Sequence, residues 1–178
     1  MRTLWLALFL FFIATGANAQ IEVLKVTGKN GKDYKLGFGA FLKFSVPASE
    51  ASYISVEGGF NFAQEKEDPE EGMAVCPLKL GYRYTVNGSG SGLYVEPQAG
   101  YNLYGIRSHY DDASYENVDE KFHGIVGAIQ VGYLFQPGKK VQFDLGAFYE
   151  TIFHNATTMS YAGLRLTHNF SFGRRESY

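Results

Sequence analysis

The chain of 178 residues holds a single cysteine, five prolines and no uninterrupted apolar run of membrane-helix length. Each scarcity excludes something. One cysteine cannot close an internal disulfide, so an exported domain of this kind has no disulfide framework. Cys76 is also too far along the chain to be the lipid-carrying first residue of a lipoprotein, and it reads as a small apolar side chain in a strand. A transmembrane helix needs roughly 20 apolar residues, so any membrane crossing falls to strands. Surplus positive charge is missing too. The 16 Lys and Arg face 18 Asp and Glu, for a formal net charge of −2, which argues against a nucleic-acid partner. There is no low-complexity tract and no repeat beyond the rhythm of hairpins.

What is abundant is glycine (21), phenylalanine (15) and tyrosine (13). The opening "MRTLWLALFLFFIATGANAQ" has a basic Arg2, an apolar core from Leu4 to Ile13, and the small-residue pattern Ala17-Asn18-Ala19 before Gln20. That order of regions predicts a secretory signal peptide over 1–19 and a single mature domain over 20–178.

From Tyr34 onward, apolar and polar residues alternate, with breaks where turn residues cluster. The spacing predicts strands at 34–46, 51–64, 73–86, 92–106, 121–135, 140–153 and 158–172. An eighth at 21–28 is followed by "KNGKD", in which Asn30-Gly31 predicts a tight hairpin turn. An even count permits closure into a barrel. Connections alternate between compact ones ("PASEA", "NGSGSG", "QPGKK") and long acidic ones at 64–72 and 105–120. The acidic pair holds Glu65, Glu67, Asp68, Glu70, Glu71, Asp111, Asp112, Glu116, Asp119 and Glu120.

Successive strand residues point to opposite faces, and sorting by parity separates two surfaces. One carries Phe38, Leu42, Phe60, Leu78, Leu80, Val131, Leu164 and their kind, with aromatics such as Tyr82, Tyr84, Tyr133 and Phe135 gathered toward strand ends, where girdles at a lipid boundary belong. The other carries Lys35, Lys43, Lys79, Arg83 and Arg165 against Glu57, Glu96, Asp144 and Glu150, interleaved with glycines. Nearly balanced charges among glycines suit a narrow barrel interior filled by side chains. The predicted fold is therefore an all-β, eight-stranded, antiparallel up-and-down transmembrane barrel with a polar, side-chain-filled interior. The competing arrangement is a secreted lipocalin-like carrier with its charges in water.

The stretches "LGFGAFLKF", "YVEPQAGYNLY" and "AGLRLTHNFSF" resemble the bacterial outer-membrane protein β-barrel domain family of small eight-stranded barrels. The resemblance spans most of 20–172. It implies residence in the bacterial outer membrane among lipid and lipopolysaccharide. It also implies delivery to the barrel-insertion machinery through a final strand carrying Gly163, Leu166, Phe170 and Phe172.

Catalytic and metal chemistry finds little support. His109 and His123 flank Asp111 and Asp112, but without compact ligand spacing the segment reads as a solvated acidic loop. His154 with Thr157, and His168 with Ser171, put base and nucleophile three residues apart, on opposite faces of a strand. Pro77 and Pro97 predict local bulges, or more sharply a lateral opening. "NGSGSG" lacks the lysine and helix of a phosphate-binding loop, and the three Asn-x-Ser/Thr sequons read as chance in a bacterial barrel. The expectation is a monomer without cofactor, metal or enzymatic activity, with a structural or surface-interaction role through its acidic loops. A lipid-modifying or lipid-binding barrel enzyme is the first alternative.

Overall fold

The computed structural model describes residues 17–66, 71–88, 91–111, 116–138, 141–154 and 157–170; residues 1–16 of the expected signal peptide lie outside them. Eight strands follow in chain order: β1 (Ala17–Thr27), β2 (Leu36–Ser49), β3 (Ser52–Gln64), β4 (Gly72–Thr85), β5 (Gly92–Asp111), β6 (Glu116–Gly138), β7 (Val141–His154) and β8 (Thr157–Phe170). Each pairs antiparallel with its neighbour, and β1 closes on β8 from Asn18↔Asn169 to Thr27↔Ser160. Closure removes both sheet edges, so no ladder is left open around the girth of the barrel. With eight strands, β1 begins and β8 finishes at one end, here the terminal end; the other is the loop end. No described helix is long and apolar enough to cross a membrane.

The sidedness is that of a barrel in lipid. Phe60, Leu80 and Val131 are 51%, 58% and 47% exposed on the outside, whereas Lys79 and Glu96 are 1% and 0% exposed within. A water-soluble carrier would show the reverse, and that arrangement is ruled out.

Local corrections follow from turn chemistry and strand length. The β1–β2 connection is not a two-residue Asn-Gly turn. A 3-10 turn spans Lys29–Lys32, and the left-handed residue is Gly28 at φ 85°, a conformation that only glycine takes without a Cβ clash. The segment 105–120, read as a loop, is mostly strand: β5 runs on to Asp111 and β6 starts at Glu116. Asp111, Glu116, Asp119 and Glu120 therefore sit on strand backbone, while Asp112, like Glu67, Asp68 and Glu70, lies outside the described residues. Pro77 sits at a register shift between β4 and β5, where the Cys76 N–H is satisfied by Asn102 Oδ1 at 3.0 Å. Pro97 still pairs with Ile129 of β6, but between Gly81↔Gln98 and Tyr84↔Val95 its strand has no register partner on β4. Both prolines thus fall where the wall forgoes a ladder bond.

Candidate functional site

The interior has two tiers. Nearer the terminal end, inward positions carry ions on seven strands, all but β6. Glu57 of β3 is the hub: it pairs with Lys79 at 2.8 Å, with Arg165 at 2.8 Å and more loosely with Lys43 at 3.9 Å. Lys43 turns to Glu96 at 2.5 Å, and Glu96 also holds Arg83 at 2.8 Å. Arg83 continues to Asp144 at 2.6 Å, Lys79 continues to Glu150 at 2.5 Å, and Arg165 pairs with Glu22.

Neutral groups add further hydrogen bonds to these ions. Ser55 donates to Glu96 at 2.6 Å, Gln98 to Glu57 at 3.2 Å, and the Tyr94 hydroxyl to Asp144 at 2.5 Å. Rings take the faces of the cations. The Arg83 guanidinium lies 3.8 Å from the Tyr94 centroid, and Arg165 lies 5.0 Å from that of Phe148. All of these charges are buried, and a buried ion is tolerable only when paired and hydrogen-bonded.

Of the nine charges that parity placed inside, Lys43, Glu57, Lys79, Arg83, Glu96, Asp144, Glu150 and Arg165 lie in this network. Lys35 does not. It precedes β2, is exposed, and reaches Gln64 Oε1 at 3.3 Å on the outside of the mouth. Glu22 takes a place that the sequence reading missed. The signal was available, since Glu22, Leu24 and Val26 share the inward parity of β1, but Lys25 interrupts the alternation of the outer face.

Nearer the loop end, inward positions become apolar. Leu24, Val26, Ala63, Met73, Val75, Phe122, Val126, Phe148 and Ile152 pack with Tyr34 and Tyr161 into one buried cluster. Tyr161 marks the boundary: its ring packs among these residues while its hydroxyl donates to Glu150 below.

The β1–β2 connection folds over this plug. Tyr34 bridges to Glu65, the Lys35 N–H donates to the Gln64 carbonyl at 2.8 Å, and the Lys66 N–H to that of Asp33 at 2.7 Å. Burial pushes the Tyr34 phenol up to about 12. Desolvation first, then the neighbouring Glu71 carboxyl, raises the pKa of Glu65.

Beyond the mouth the wall is uneven. β4 accompanies β5 as far as Gly72↔Ser108, and β5 pairs with β6 up to Asp111↔Glu116. On the other side, β6 pairs with β7 only from Ile125↔Phe153 downward. Among the described residues, 116–124 of β6 thus have no register partner on the β7 side. At roughly 3.4 Å per residue, the nine steps from Ile125 to Glu116 carry the hairpin about 31 Å past the last β6–β7 rung. Asp119 and Glu120 are exposed on it, and Ser108 donates to Asp119 at 2.7 Å. His154 Nδ1 donates to the His123 carbonyl at 2.5 Å, capping the base of this open edge. The two imidazoles stack edge to face, and His168 stacks likewise on Phe143. Among the described residues, no three His, Cys, Asp or Glu side chains converge as a metal site.

No family model matches the chain, and no curated protein matches it in sequence. Solved structures do. Neisserial surface protein A aligns over 88% of this chain and 96% of its own at 15% identity, with a TM-score of 0.61. The attachment invasion locus protein Ail of Yersinia pestis aligns over 87% and 97% at 14% identity and 0.59. The N-terminal β-barrel domain of Pseudomonas aeruginosa OprF aligns over 86% and 97% at 13% identity and 0.58. With its apolar belt outside and its ions sealed within, the chain has the fold of these small eight-stranded outer-membrane β-barrels.

Proposed function

We propose that this protein is a monomeric, non-conducting resident of the outer membrane, acting by binding rather than catalysis, and that its β5–β6 hairpin is the surface it offers to partners. The carrying observation is the length of β6 whose β7-facing edge has no register partner among the described residues. Unpaired backbone N–H and C=O groups on a projecting strand are a template for an extended peptide, which adds as a further strand. The acids Asp119 and Glu120 beside it favour a partner segment that is basic. The filled lumen supports a structural role for the barrel and leaves no continuous water path for solutes.

In this reading residues 1–19 are removed on export, both termini and the short turns face the periplasm, and the loop end faces outward. β8, with Gly163, Leu166 and Phe170, is the segment handed to the insertion machinery. Shortening the hairpin by replacing 109–118 with a tight turn tests the proposal. The variant should keep its heat-modifiable folded form and lose cross-linking between a photoreactive group at position 121 and surface-bound protein on intact cells. Unchanged cross-linking would remove the hairpin from the role.

A further inference from the structure

The two sides of the loop end differ in charge. The β5–β6 side exposes Asp119 and Glu120 with Lys121 next to them, while the β1–β3 side exposes Lys32, Lys35 and Lys66 around Asp33, with half-buried Lys25 beside them. Lys25 stands on the outward face of β1, two residues beyond Val23 and therefore about 7 Å closer to the loop end. Its Nζ donates to the Tyr34 carbonyl, and Lys66 and Asp33 both lie within its electrostatic reach.

Directly below, the outer wall is indented. A groove of about 460 Å³ is lined mainly by apolar residues, among them Ile21, Val23, Ala40 and Leu164, and also by Glu22 and Arg165 of the ion network. Its depth comes from β2, where Ala40 lies opposite both Ile21 and Phe60 and has Gly39 beside it. A small side chain among large ones leaves a furrow in the apolar belt, wide enough for a ligand's hydrocarbon part.

An apolar furrow in the hydrocarbon zone with ammonium groups at its outer end matches one kind of molecule. We propose that the β1–β3 wall is a specific site for a phosphorylated, multiply acylated lipid of the outer leaflet. One acyl chain lies along Ile21, Val23, Ala40 and Leu164, and a phosphate is held between Lys25 and Lys66. Lysine holds phosphate as a mobile point charge, and a basic residue near a membrane surface contributes through both contact and field. Asp33 offsets part of that charge, while exposed Lys32 and Lys35 on the same side add positive charge that a second phosphate can use. The site rests on the outward orientation of the loop end proposed above.

The barrel, refolded in detergent, is incubated with bis-phosphorylated lipid A, its dephosphorylated form or phosphatidylcholine, and bound lipid is counted by native mass spectrometry. Wild type should retain the bis-phosphorylated form selectively. The Lys25→Gln/Lys66→Gln variant should bind it roughly 30-fold more weakly, for two near-surface charges, and Ala40→Phe should fill the furrow and lower retention. Lys121→Gln, on the acidic side, should change nothing. Heat-modifiable mobility verifies that each variant is folded, and a variant that fails it is replaced by the corresponding single lysine substitution. Equal retention by the lysine variant, or equal uptake of all three lipids, overturns the proposal. Orientation is read separately, by labelling Lys66→Cys in a Cys76→Ala background on intact cells with an impermeant maleimide. An unlabelled cysteine sinks the outward loop end, while lipid retention in detergent still reports on the furrow.

Discussion

The lower and upper tiers of the lumen are made by the same eight strands and the same inward parity, yet they are stabilised in different ways. In the lower tier Glu57 touches three cations, and Arg165 touches two acids. Removing one member strands the others. In the upper tier Leu24, Met73, Phe122 and Ile152 share contacts without directional demands, and neighbours can settle partly into a space left behind. The charged tier therefore penalises any arrangement of strands that leaves an ion alone. The apolar tier closes the mouth and tolerates variation.

The sharpest way to break this contrast is Arg165→Met, which leaves Glu22 and Glu57 short of a partner. It should cost about 3–5 kcal/mol in urea unfolding of the lipid-inserted barrel. That cost should be the same in low and high salt, since sealed charges are poorly screened. A loss that vanishes at high salt would mean that the lower tier is wet. Ile152→Val in the upper tier should cost about 0.5–1.5 kcal/mol by the same assay; a penalty as large as that of Arg165→Met would erase the distinction.

At the lid, protonated Glu65 suits its partly desolvated place beside Glu71 better than the carboxylate does. Because its folded pKa is raised, its contribution is fully present below the ordinary carboxylate range and is lost as pH rises through the raised value. Exchange of the Lys35 and Lys66 amides, corrected for intrinsic rates, should be slower at acid than at neutral pH. Glu65→Gln should remove the difference, whereas a difference that persists in the variant assigns it to another group. Glu120→Ala, on the solvated hairpin, should shift stability by no more than about 0.5 kcal/mol, and a larger change would mean that the hairpin packs on the barrel.

Legibility followed the solvent. Where one face of a strand meets lipid and the other the lumen, period-two alternation is strict, and the outward set around Phe38, Leu80 and Val131 was readable from spacing alone. Beyond the membrane both faces of a hairpin meet water, so the alternation fades. That is why the ends of β5 and β6, with Asp111 and Glu116, read as loop. Lys35 was misplaced for a related reason: one step before β2 begins, parity no longer dictates direction. The apolar plug is visible in the sequence only as exceptions on the inward face, such as Leu24, Met73 and Ile152.

Sequence alone determined the strand count, the sidedness and the near-balance of interior charge, because each is a property of local periodicity and composition. Which ion meets which was decided only by closure of the barrel. Arg165 and Glu57 are 108 residues apart in the chain, and nothing in either strand names the other. They meet because curling the sheet turns inward positions of distant strands toward one axis, where a low dielectric penalises every charge left without a partner.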